Sequence, residues 1–180
     1  MGLAGDLSYA YARPNAFHRM MQAFASTRPG AWFFSKTLAP MDRILARMSK
    51  GRLTVPTVMA GLPVLVLTST GRKSGQLRRT HLIAVPYLDT LALLGTNFGQ
   101  PGTPTWVLNL EAEPRASVSH QGHTCEVVAR PATSEERSRI LAASTNFYGG
   151  YAKYQQRITA RMLRIFVLEP PSPPGPTAVT

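Results

Sequence analysis

Acidic residues are scarce in this chain. Nine Asp and Glu stand against 20 Lys and Arg in 180 residues, a formal net charge of +11. Such a surface repels cationic partners and attracts anions: nucleic acid, an anionic membrane face or a phosphorylated ligand. Cysteine is nearly absent. Cys125 stands alone, which excludes an internal disulfide and any multi-cysteine metal site and fits a reducing, cytoplasmic compartment. The four histidines, His18, His81, His120 and His123, fall in different segments without ligand spacing, so no metal site is expected. No apolar run reaches the ~18 residues of a spanning helix. The N-terminus lacks the basic, then apolar, then small layout of a signal peptide. No Ser or Thr has a His-Asp arrangement around it, and no DNA-reading motif is present, so neither nucleophilic hydrolysis nor nucleic acid is expected. A chain without nucleophile, metal or catalytic acid pair can still be an enzyme if a cofactor supplies the reactivity.

What is there suits one domain, able to bury roughly 70% of its unfolded surface. Residues 1–13 show no period and read as mobile. From Asn15, Phe17, Met20, Met21 and Phe24 recur at helical spacing. A second stripe, Leu38, Met41, Ile44, Leu45 and Met48, is interleaved with Lys36, Arg43, Arg47 and Lys50. At Pro63 the character changes. Val64–Ser69 is a short apolar run typical of a buried strand. Thr80–Leu88 reads as one strand, Asp89-Thr90 as its turn and Leu91–Thr96 as its return. Thr103 caps a short helix with Pro104 at its first position. Ala116–His120 and Thr124–Arg130 form a hairpin about Gln121-Gly122. Thr133-Ser-Glu-Glu136 is a capping box opening a helix to about Asn146. Leu163–Leu168 is the last strand, and the Pro/Gly-rich tail after Pro170 reads as disordered. The division is therefore a helical extension over 1–62, a barrel domain over 63–170 and a tail over 171–180. Six or so mostly antiparallel strands with a helix inserted between them make an α+β, mainly β, barrel.

Three stretches could carry chemistry. Gly71-Arg72-Lys73-Ser74-Gly75, followed by Arg78 and Arg79, is the densest cationic turn in the chain. It is either a phosphate grip, with glycines admitting backbone N–H groups to the anion, or a solvated basic hairpin turn. It is not a Walker A loop. Tyr148, Tyr151 and Tyr154 are spaced to line one face of a helical turn. They suit a flat, partly polar ring system, or equally the packing of an amphipathic segment. Gly95-Thr96-Asn97-Phe98-Gly99, leading to Trp106 and Asn109, is a strand end, a loop and a helix start, a common ligand-contacting corner. Trp106 could simply be core, and Asn109 needs a partner if buried. Cys125 reads as a small buried hydrophobe.

These segments, in this order and with Phe166-Val-Leu-Glu-Pro170 closing them, resemble the deazaflavin-dependent nitroreductase family, the coenzyme F-420-dependent quinone reductases. The resemblance implies a split β-barrel of the FMN-binding type and an oxidoreductase using reduced coenzyme F-420, with FMN as the alternative cofactor. It further implies that Arg72, Lys73 and Arg78 grip the phosphate, helped by amides of Gly71–Gly75, Ser74 among them. Thr96 would lie near the ring or the substrate, Trp106 and Asn109 would shape the ring pocket, and Tyr148, Tyr151 and Tyr154 would wall the acceptor side, one of them donating a proton or hydrogen bond. Leu77 and His81 stand where the family commonly has proline, and Asn97 where it often has lysine. The acceptor would be a quinone, a nitroaromatic or an activated enone. The amphipathic N-terminal helices would either touch the inner membrane face or cover the barrel or a second copy in a homodimer. A non-catalytic lipid or cofactor carrier is the reading from another class.

Overall fold

The computed structural model describes residues 2–11, 62–97, 100–147 and 162–171, with isolated positions between 20 and 32. The N-terminal stripes are almost wholly outside these residues, as are Tyr148, Tyr151, Tyr154 and the tail beyond 171.

Seven strands form one sheet: β1 (Leu65–Thr70), β2 (Leu77–Leu82), β3 (Ala84–Tyr87), β4 (Thr90–Leu94), β5 (Arg115–His120), β6 (His123–Pro131) and β7 (Ile165–Glu169). Their order is β2-β1-β5-β6-β7-β4-β3, every pair antiparallel. The order dictates the shape. β2 and β3 occupy opposite edges, yet only Ile83 separates them in sequence. A flat sheet would hold those edges about 29 Å apart at ~4.8 Å per strand, whereas one residue spans at most ~3.6 Å. The sheet must curl until its edges meet, which makes a barrel. The single strand expected over Thr80–Leu88 is thus two strands with different partners. No glycine, Asn or Asp within residues 80–88 marks the change of partner, and the turn falls at Leu88-Asp89.

Alternation along the strands divides the core. Leu91, Leu93, Phe166 and Leu168 point to one cluster with Leu65, Leu67 and Val118. Ala92, Leu94, Ile165 and Val167 point to a second, on the other face. Helix α2 (Thr105–Ala112) fills the first with Trp106, Val107 and Leu110. Helix α3 (Ser134–Phe147) brings Ile140 to the second. The expected capping box of α3 is formed: Glu136 N–H donates to Thr133 Oγ1 at 3.3 Å and Thr133 N–H to Glu136 Oε2 at 2.9 Å. In α2 the expectation was one residue early. Pro104 is extended at ψ 142° and is itself the cap residue, and the amides of Val107 and Leu108 share its carbonyl without any side-chain cap. The hairpin tip falls at Gln121-Gly122 as expected, both with positive φ (50° and 92°), the primed turn that matches strand twist.

Residues 2–11 contradict the expectation of mobility. After the short helix α1 (Leu3–Asp6), Leu7 is fully buried and Tyr9 is 5% exposed in the first cluster. Tyr9 closes the barrel seam. Its hydroxyl accepts the Ala84 N–H at 2.8 Å and donates to Pro63 O at 2.8 Å, while Tyr11 OH donates to Ala84 O at 2.8 Å. Burial pushes the Tyr9 phenol far above its ordinary value, so it stays protonated as this geometry needs. Lack of periodicity concealed the segment, because it is held by single anchors and not by a repeating face.

Candidate functional site

The basic turn joins β1 to β2. Gly75 takes φ +66°, a left-handed conformation that a Cβ would disfavour. The turn folds on itself: Gly71 N–H donates to Gln76 O at 2.8 Å, and Ser74 and Gly75 N–H both donate to Gly71 O, at 3.1 and 2.8 Å. Arg72 N–H donates to Asn109 Oδ1 at 3.1 Å. Four of the five amides from Gly71 to Gly75 are therefore used inside the protein, and Lys73 N–H alone is left. That narrows the expected backbone cradle to a single amide, and the donors otherwise offered to an anion are side chains.

Those side chains are available. Arg72, Lys73, Arg78 and Arg79 are all exposed. No carboxylate lies within ion-pair distance of any of them among the described residues. Arg78 pairs with Ser69 in the ladder and shares its face, with a guanidinium contact to Ser74 Oγ at 3.3 Å. Arg79 pairs with Thr68 on the other face. Four cations within eight residues repel one another, and an anion placed among them relieves that repulsion.

The second corner reaches the same helix. At the end of β4, a Cβ on Gly95 would lie 2.9 Å from Val107 Cγ2 and 3.3 Å from Arg164 O, so only glycine lets the strand meet α2 this closely. Thr96 follows, half-buried, with its N–H donated to Leu94 O at 2.8 Å. Asn97 takes φ +48° and its Nδ2 donates to Gly102 O at 2.9 Å, closing the loop. The turn and the Thr96 corner thus flank α2, one through Asn109 and the other through Val107.

Trp106 and Asn109, expected at a ring pocket, are both engaged within the protein. Trp106 is 6% exposed, its ring tilted against Phe166 at 6.1 Å. Asn109 is 2% exposed, and besides accepting from Arg72 it donates to the buried Ser69 Oγ at 3.4 Å. The need of a buried Asn109 for partners was legible in sequence. That the partners are Ser69 and Arg72, 40 and 37 residues away, was not. Tyr148, Tyr151 and Tyr154 lie outside the described residues. Cys125 is half-buried, and burial, aided by Asp6, raises its thiol pKa, which suits a packing role. No cluster of His, Cys, Asp or Glu able to hold a metal occurs among the described residues, and none of their helices is long and apolar enough to cross a membrane.

A family model described as F420H(2)-dependent quinone reductase matches residues 42–170. An F420H(2)-dependent quinone reductase of Mycobacterium tuberculosis is 29% identical over 109 residues, spanning 59% of this chain and 72% of its own. Among solved structures, an F420-H2 dependent reductase (FDR-A) is 31% identical with a TM-score of 0.54, covering 59% of this chain and 94% of that one. Another, described as a domain-swapped dimer, is 28% identical with a TM-score of 0.56, covering 78% of this chain and 99% of that one.

Proposed function

The chain belongs to the F420H(2)-dependent quinone reductase family, and we propose that it passes a hydride from reduced coenzyme F-420 to a quinone-like acceptor. The observation that carries this reading is the turn at Arg72: exposed cations without carboxylate partners among the described residues, on a backbone already fixed from within. The coenzyme's phosphate and acidic tail are anions, and the donor set offered is wholly cationic, so the residues fit the group. Arg72, Lys73 and Arg78 hold the phosphate through their side chains, each charge-assisted bond worth ~1.5–3 kcal/mol.

When bound, the reduced deazaflavin supplies two electrons as a hydride. The chain's own task is to position and to provide polar contacts. Fixing a ring and an acceptor carbon about 3–3.5 Å apart is worth up to ~7–11 kcal/mol. Thr96, at the corner seated on Val107 of α2, would lie near the ring or the substrate. By the family resemblance Tyr148, Tyr151 and Tyr154 would wall the acceptor, and one phenol would donate the proton that the reduced acceptor oxygen takes up. Hydride and proton together convert a quinone to its hydroquinone.

The test is titration of the purified protein with the coenzyme, followed by turnover with a menaquinone analogue, a nitroaromatic and an activated enone. Oxidation of the coenzyme fastest with the quinone is expected. Binding without turnover of any of the three would leave a carrier and overturn the reductase reading.

A peripheral membrane contact is the companion proposal. Met20 and Phe24, members of the first apolar stripe, are 60% and 46% exposed, and Trp32 is 60% exposed. In sequence the second apolar stripe is interleaved with Lys36, Arg43, Arg47 and Lys50, a pattern that suits an anionic interface, where a lipid-soluble quinone resides. A homodimer is proposed as well, supported by the solved relative described as a domain-swapped dimer.

A further inference from the structure

Asn109 sits where an apolar residue would be expected. Its neighbours on α2, Trp106, Val107 and Leu110, are buried and apolar, and Asn109 itself is 2% exposed. A buried amide is costly unless its hydrogen bonds are made. Both that it makes run to the same place, the exit of β1 into the basic turn: Oδ1 to Arg72 N–H and Nδ2 to Ser69 Oγ.

The turn's remaining hydrogen bonds are local. They close residues 71–76 on themselves and along β2 without orienting the turn against the barrel body. Among the described residues, Asn109 provides the one hydrogen bond from this turn to any element other than β1 and β2. The helix carrying Asn109 also bears Val107, against which Gly95 and hence the Thr96 corner are seated. One short helix therefore holds both ends of the proposed coenzyme site.

We infer that Asn109 is a positioning residue for coenzyme binding, acting through Arg72: its side chain, engaged by Arg72 N–H and Ser69 Oγ, fixes the Arg72 backbone so that the guanidinium points at the anion. This rests on the proposed coenzyme reading. The amide is kept in the core because leucine could fill the space but could not hold the turn.

The experiment is a double-mutant cycle with Asn109→Ala, Arg72→Ala and the double variant, read as Kd for oxidised coenzyme F-420 by fluorescence titration. A residue that acts through another loses its effect when the other is gone. The expected result is a rise of about tenfold for each single variant and a double variant no weaker than Arg72→Ala alone. Hydrogen exchange at the Arg72 amide should quicken in Asn109→Ala. Equal effects of Asn109→Ala with and without the Arg72 side chain, or an unchanged Kd, would overturn the inference. If Asn109→Ala does not fold, Ser69→Ala replaces it. That change removes one anchor of the amide, and a rise of about threefold, absent in the Arg72→Ala background, is expected. An effect that persists there overturns the inference equally. Failure of the unaltered protein to bind the coenzyme would instead overturn the functional reading, so the two failures are distinct.

Discussion

Tyr9 shows how much one residue can hold together in this barrel. Its hydroxyl serves Ala84 N–H and Pro63 O at the point where the sheet edges meet. Tyr9→Phe leaves both groups buried without a partner, and urea denaturation should register a loss of about 1–3 kcal/mol. Nothing in the sequence around Tyr9 announces this, because an isolated anchor has no period. Asn109 was half legible: a polar residue on an apolar helix stretch asks for a partner, but long-range pairing is not written in local pattern. The cationic turn was legible as composition, whereas the use of its amides was not. Side chains, with the single amide of Lys73, are therefore left to grip an anion. Lys73→Ala should raise the coenzyme Kd about ten- to a hundredfold with little change in turnover at saturation. Tyr148→Phe or Tyr151→Phe should lower kcat more than affinity. A coenzyme titration beside steady-state kinetics separates these, and equal effects on Kd would contradict the division of labour.

At the scale of elements, signals that repeat locally were read well. The capping box of α3, the primed turn at Gln121-Gly122 and the strands flanking it occur where the sequence puts them. The break at Ile83 is not legible because no glycine, Asn or Asp interrupts residues 80–88, and the change shows only in which strands β2 and β3 meet. The start of α3 also carries a pH-sensitive joint. Arg130 forms a fork with Glu136, both bonds 2.7 Å, and reaches Glu169 at 2.7 Å, tying β6 to α3 and β7. The Arg130 hydrogen bonds, with the Thr133 amide, lower the Glu136 carboxyl to about 2 from an ordinary 4.5. A depressed folded-state pKa stabilises fully above 4.5, and the contribution disappears as the pH falls towards 2. Thermal unfolding between pH 5 and pH 2 should show this as a falling Tm, with a shallower slope in Glu136→Gln. Identical slopes would remove Glu136 from the acid response.

For the whole molecule, an antiparallel barrel was legible from strand spacing and turns, and seven strands in place of six follow once β2 and β3 are separated. The N-terminal residues were misjudged as a mobile lead when they form part of the core. That matters for testing the membrane contact. Removing residues 1–50 would remove Tyr9 and open the seam, so loss of binding would mean nothing. Replacing Lys36, Arg43, Arg47 and Lys50 with Gln leaves Tyr9 in place, and circular dichroism checks that the variant is folded. Vesicles containing anionic lipid should then lose the protein in flotation at about 1 kcal/mol per charge, and undiminished flotation would end the membrane proposal. Beyond the membrane question, the account rests on a basic turn that clasps an anionic redox coenzyme, with its backbone braced from α2. Fluorescence titration of the full chain with coenzyme F-420 at low and high salt examines that directly. Saturable binding that weakens steeply with salt, and weakens further in Lys73→Ala, is the predicted result; no binding at any salt concentration, or binding indifferent to both salt and Lys73, would contradict it.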